Sequence, residues 1–154
     1  MSNLKRIEGK IVNYNSSFIG NLVFDNKIHD IKKNSTDEFD KIIIPGFIDL
    51  HCHGGNGFDV MEGKDSIENM ANYHLSHGTT SIMPTTWTNT FEETQQALKG
   101  FDEICKNNSN IMGIHLEGPF INPNKLGAQP NLAQKPSIDF VKKLTKIELI
   151  KLIT

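Results

Sequence analysis

Residues 42–59 read IIIPGFIDLHCHGGNGFD, an apolar run that ends in His51-Cys52-His53 and passes at once into Gly54-Gly55. Successive side chains of a strand point to opposite faces, so His51 and His53 share one face and Cys52 lies on the other. Two imidazoles at the end of a buried strand can hold one divalent cation, and glycines after them let the backbone turn tightly. Taken alone, the pair also fits two ordinary strand histidines satisfied by backbone carbonyls. A second constellation favours the metal. Residues 113–120, GIHLEGPF, place His115 and Glu117 on one face of another strand, and the following Gly-Pro leaves Glu117 at its C-terminal tip. The bland alternative for Glu117 is a carboxylate capping the next turn. The ends of parallel strands are where α/β folds gather their chemistry. Nitrogen and oxygen donors of this kind suit zinc, iron(II), manganese or cobalt without selecting among them.

The elements around these residues alternate. After an apolar strand at 42–51, a helix is predicted over 65–77, capped by Asp65 or Ser66 and stopped by Gly78. A β-branched strand follows at 79–86, a single helix over 90–106 capped by Thr90, a strand at 110–117, a helix at 137–146 and a strand at 149–154. Strand–helix alternation implies an α/β fold with a parallel sheet. Residues 1–44 read differently, as brief apolar pieces separated by turn residues, and are expected to form a small β-element, too short to be a stable sheet alone, whose partners come from elsewhere in a longer chain. Residues 45–154 are expected to be the first half of a barrel, since a closed (β/α)8 barrel takes about 250 residues. The alternative, an open four-stranded α/β domain, would leave an apolar last strand uncovered.

The chain has 154 residues, a formal net charge of −2, 37% hydrophobic and 22% charged residues. No basic stripe points to nucleic acid, no apolar run reaches the roughly 20 residues that span a membrane, and MSNLKRIEGK has no apolar leader core. Cys52 and Cys105 are too few for a disulfide framework, so a cytoplasmic protein is expected.

Three segments, PGFIDLHCHGG, HGTTSIMPT and GIHLEGPFINPNKLGAQP, together resemble the N-acetylglucosamine-6-phosphate deacetylases of the amidohydrolase superfamily. The first marks only the superfamily; HLEGPF followed by GAQP is much more specific. The resemblance covers essentially all of the α/β part. It implies a metal-dependent (β/α)8 barrel with a small β-sandwich of which residues 1–44 are part, acting on the acetamide of N-acetylglucosamine 6-phosphate to give glucosamine 6-phosphate and acetate. By position it makes His51, His53 and Glu117 metal ligands for one or two ions. Ala128 and Gln129 fall in the loop that contacts the sugar, with Gln129 standing where many members have histidine. The resemblance also implies a homodimer, and a catalytic aspartate beyond Thr154, so the 154-residue chain alone is expected to be inactive. Another cyclic-amide hydrolase of the superfamily and an inactive truncated product are the alternatives.

The remaining candidates are weaker. Asp49 shares the face of His51 and reads equally as a carboxylate that orients a ligand and as a hydrogen-bonded structural Asp. His115 reads more readily as a satisfied core histidine than as a substrate contact. Trp87 can line the sugar pocket, although a lone aromatic is more often core. Cys52 reads as a small buried hydrophobe, His77 as helix-end electrostatics, and His74 and His29 as surface or packing residues.

Overall fold

The computed structural model describes residues 3–34 and 38–154, which divide into two units at Pro45/Gly46.

The first unit is a four-stranded sheet in the order β3-β2-β1-β4. β1 (Lys5–Asn13) and β2 (Ser16–Phe24) form a hairpin in full register from Lys5↔Phe24 to Asn13↔Ser16. β3 (Ile28–Lys33) pairs antiparallel with β2, and β4 (Ile42–Ile43) parallel with β1. The strands are longer than the brief apolar pieces expected from the sequence. Polar residues continue them: Arg6 Nε donates to Asn21 Oδ1 at 2.8 Å, and the Asn21 amide donates to Asn34. Cross-strand bonding therefore extends where hydrophobicity alone gives no signal.

The second unit begins with β5 (Phe47–Cys52). The single strand expected over 42–51 is thus two, broken at Pro45-Gly46. Pro45 has no N–H for a ladder, and a Cβ at position 46 would fall 2.1 Å from Thr80 Oγ1. A tight hairpin, β6 (Gly54–Gly55) and β7 (Phe58–Asp59), follows. Asn56 and Gly57 both take positive φ at its turn (53° and 83°), as a short primed turn requires. A 3-10 turn, Val60–Glu62, leads into α1 (Lys64–Ser76). The helix starts before Asp65; Gly63 precedes it, and the side chain of Ser66 instead donates to Glu62 at 2.8 Å. Gly78, at φ 95°, lies just past the helix end, in the left-handed region a side chain disfavours.

β8 (Thr79–Pro84) pairs parallel with β5. The helix expected over 90–106 is two helices, α2 (Phe91–Ala97) and α3 (Phe101–Asn107). Gly100 between them is left-handed at φ 77°, a conformation helix propagation cannot pass through. Thr90 caps α2 as expected, its hydroxyl accepting from the Glu93 N–H at 3.2 Å. β9 (Ile114–Leu116) is shorter than expected but is joined to β8 by the parallel bridges Ile82↔Ile111 and Thr85↔His115. α4 (Ile138–Leu144) and a 3-10 turn lead to β10 (Ile150–Ile153), parallel to β9. The parallel strands thus follow chain order, β5-β8-β9-β10, with helices between them: an α/β fold.

Ile67, Met70 and Ala71 bury one stripe of α1 against Ile82, Phe101, Ile104, Ile114 and Leu116. Phe101, only 1% exposed, fills the centre of this cluster. Phe101→Ala is expected to lower stability by about 3–5 kcal/mol, read as a shift in the urea midpoint at unchanged slope. A loss below about 1 kcal/mol would mean that the core does not depend on this ring.

Candidate metal centre

His51 and His53 stand at the C-terminal end of β5 and just past it, and Glu117 follows β9 directly. Alternation along β5 turns both imidazoles to one side. Cys52, on the other, contacts His74 Nε2 at 3.3 Å and the Gly54 carbonyl at 3.2 Å. Burial holds the Cys52 thiol above its ordinary pKa, which suits a small packing residue and not a nucleophile. His74 is more than packing: its Nε2 also reaches the Gly54 carbonyl at 3.1 Å, tying α1 to the turn after His53.

The strand ends are held by a short ladder of bonds. The Cys52 N–H donates to Thr85 Oγ1 at 2.9 Å, and the Thr85 N–H to the Cys52 carbonyl at 2.8 Å. Asp49, on the face of His51, accepts the His51 N–H at 3.0 Å, so it braces that residue's backbone and not its ring. His53 Nδ1 lies 3.0 Å from the Thr85 carbonyl. A carbonyl only accepts, so Nδ1 carries the proton and Nε2 presents its lone pair.

That lone pair faces Glu117. His53 Nε2 and Glu117 Oε2 are 2.9 Å apart, His51 Nε2 and Glu117 Oε2 3.4 Å, and the two Nε2 atoms 3.1 Å. Glu117 Oε2 is buried and has no hydrogen-bond partner. A buried carboxylate oxygen beside the His53 lone pair is repulsive; a cation between the three atoms would make that contact favourable. The spacing fits one. With metal–ligand bonds of about 2.1 Å, adjacent donors lie about 3.0 Å apart in an octahedron and about 3.4 Å apart in a tetrahedron. The three residues therefore form a group able to hold a metal ion, and the distances do not choose between the two geometries.

His115 sits beneath them, 3% exposed. Its Nδ1 donates to the Leu50 carbonyl at 3.1 Å, and its Nε2 lies 2.7 Å from the Thr154 hydroxyl. Burial lowers its pKa, with the neighbouring His51 acting in the same direction and the Leu50 carbonyl opposing. Both ring nitrogens are occupied, as in a satisfied core histidine. Trp87 was only weakly marked in the sequence, yet its ring lies against His53, centroids 3.7 Å apart and 13° from parallel. Of the two loop residues, Ala128 is exposed. Gln129 is drawn back to the end of β8, where its Oε1 accepts the Thr88 N–H at 2.7 Å.

Known proteins share this arrangement of sequence and fold. N-acetylglucosamine-6-phosphate deacetylase from Bacillus subtilis (strain 168) is 38% identical over 125 residues, covering 75% of this chain and 32% of the relative. The crystal structure of N-acetylglucosamine-6-phosphate deacetylase from Thermotoga maritima superposes with a TM-score of 0.81 at 29% identity, over 92% of this chain and 40% of that one. The Mycobacterium smegmatis deacetylase in complex with N-acetyl-D-glucosamine-6-phosphate has the same fold, with a TM-score of 0.82 at 21% identity over 97% of this chain and 42% of that one. The chain thus spans about a third of the length of its curated relatives. The model of the Amidohydrolase family matches residues 42–153, from β4 through both strand ends that carry the histidines and the glutamate to the last residue of β10, and the chain belongs to that family.

Proposed function

We propose that this chain forms part of a metal-dependent amide hydrolase that removes the acetyl group of N-acetylglucosamine 6-phosphate, giving glucosamine 6-phosphate and acetate. The observation that carries the reading is the buried, unpartnered Glu117 Oε2 facing two imidazole nitrogens. His51, His53 and Glu117 would hold the divalent cation, which supplies polarisation of the amide carbonyl and a more acidic water. The choice of substrate rests on the relatives named above. The Gln129 amide oxygen is engaged by Thr88, which leaves its NH2 group as the donor available to a sugar hydroxyl. Ala128 lends that loop a small, exposed surface.

Cleavage of an amide also needs a group that takes the water's proton and delivers it to the leaving nitrogen. None of the three ligands is free for this role, and the 154-residue chain is proposed to be inactive by itself. The complete protein is proposed to close β5-β8-β9-β10 into a (β/α)8 barrel and the four N-terminal strands into a β-sandwich, and to work as a cytoplasmic homodimer. No helix among the described residues is long and apolar enough to cross a membrane.

The test is an acetate-release assay on the product of the complete coding sequence, with and without a chelator. Acetate is expected from N-acetylglucosamine 6-phosphate in the metal-loaded protein and from nothing after chelation. Turnover of a hydantoin or of dihydroorotate, with none of the phosphorylated amino sugar, would select a cyclic-amide hydrolase instead.

A further inference from the structure

The two imidazoles of the site are not held alike. The His51 ring meets its neighbours His53 and His115 only edge-on, with centroids 4.9 Å away in each case, and its side chain is 51% exposed. The His53 side chain is 18% exposed, bonded through Nδ1 to Thr85, and covered on one face by the parallel indole of Trp87. The indole is itself fixed at its edge, where Nε1 donates to Asp59 Oδ2 at 3.3 Å. Asp59 is anchored in turn: its other oxygen accepts the Met61 N–H at 2.8 Å, and its own N–H reaches Ser66 Oγ at 3.0 Å. A continuous path runs from the 3-10 turn before α1, through Asp59 and Trp87, to the ring of His53.

We propose that Trp87 is a positioning residue that fixes the ring plane of His53, so that Nε2 stays aimed at the point it shares with Glu117. This rests on the reading of His51, His53 and Glu117 as a cation site. A single Nδ1–H bond sets one corner of an imidazole but lets the ring rock about it; a flat surface stacked on the ring removes that motion. An aromatic pair of this geometry is favourable beyond its buried area, and groups that orient a ligating histidine commonly change metal affinity by about 10- to 100-fold. The site then has a rigid half, His53 with Glu117, and an adaptable half, His51.

The experiment titrates Zn²⁺ and Co²⁺ by calorimetry into the metal-free product of the complete coding sequence and two variants of it. Trp87→Leu keeps bulk but loses the flat ring and is expected to bind about 10-fold more weakly. Trp87→Phe keeps a stacking face and is expected to recover most of that loss. Equal affinity of a folded Trp87→Leu variant and the wild type would overturn the positioning role while leaving the cation site intact. Absence of binding to the wild type would overturn the cation site and this inference with it. A second readout guards against a misfolded Trp87→Leu variant. Trp87 is the single tryptophan of these 154 residues, so the part of the fluorescence that Trp87→Phe removes is expected to be quenched by saturating Co²⁺ in the wild type and not in His53→Ala. An unchanged spectrum at saturation would contradict the stacked arrangement.

Discussion

Glu117→Gln is expected to weaken divalent-cation binding by at least about 100-fold, more than the loss of an outer-shell partner brings. The amide keeps the shape of the side chain but removes the negative charge, and its NH2 can donate to the His53 lone pair it faces. The metal-free variant is therefore expected to be no less stable than the metal-free wild type, because the buried oxygen that lacks a partner is replaced by a satisfied donor. The two proteins part company when metal is added. At a cation concentration of about 100 times the wild-type Kd, binding stabilises the wild type by about 2.7 kcal/mol and the variant by no more than about 0.4 kcal/mol. Thermal melts with and without Zn²⁺ read the difference directly, and the same substitution in the complete protein is expected to abolish deacetylation. A variant that keeps the metal-dependent rise in melting temperature would mean that Glu117 is not a ligand.

Gly118→Ala is expected to be strongly destabilising. Gly118 has φ 72°, where an L-residue other than glycine loses roughly 1–2 kcal/mol. An added Cβ would also fall 1.9 Å from Thr88 Oγ1, 2.8 Å from Thr88 Cβ and 2.9 Å from Thr88 Cα. Thr88 is fully buried; rotation about its Cα–Cβ bond would move Oγ1, which has no hydrogen-bond partner, but would leave Cα and Cβ in place. A total loss of about 3–5 kcal/mol is expected, a large share of the roughly 5–15 kcal/mol of an ordinary domain. Glu117 is the adjacent residue, so cation affinity is expected to fall as well. Thr88→Gly in the same chain removes the two closest atoms and is expected to restore part of the stability, whereas Thr88→Ser keeps them and restores nothing. A near-neutral Gly118→Ala would show that the backbone here relaxes freely.

The placement of His51, His53 and Glu117 at strand ends was legible because it depends on periodicity. Alternation with period two turns His51 and His53 to one side, and the Gly-Pro after Glu117 ends the strand where the carboxylate is needed. Helix α1 was legible from Ile67, Met70 and Ala71 at helical spacing, and the cap of α2 from Thr90. What escaped depends on contacts between residues distant in the chain. Nothing local distinguishes the Gly100 that splits α2 from α3 from a tolerated helix glycine; its left-handed φ comes from packing both short helices onto one core. The extent of β1 and β2 escaped because polar side-chain bonds, Arg6 to Asn21 and Asn21 to Asn34, hold them where apolar alternation gives no signal. The stacking of Trp87 on His53 joins the segments after two neighbouring strands, and the bond from Thr88 to Gln129 spans α2, α3 and β9. Neither leaves a spacing that a single sequence can reveal.

The cation site is tested most directly by crystals of the chain grown with Zn²⁺ and measured on both sides of the zinc absorption edge. The expected result is one anomalous peak at coordination distance, about 2.0–2.2 Å, from His51 Nε2, His53 Nε2 and Glu117 Oε2. An empty map there, with His51, His53 and Glu117 well ordered and hydrogen-bonded to one another or to water, would contradict the metal centre and remove the basis for assigning an amide hydrolase mechanism to these residues.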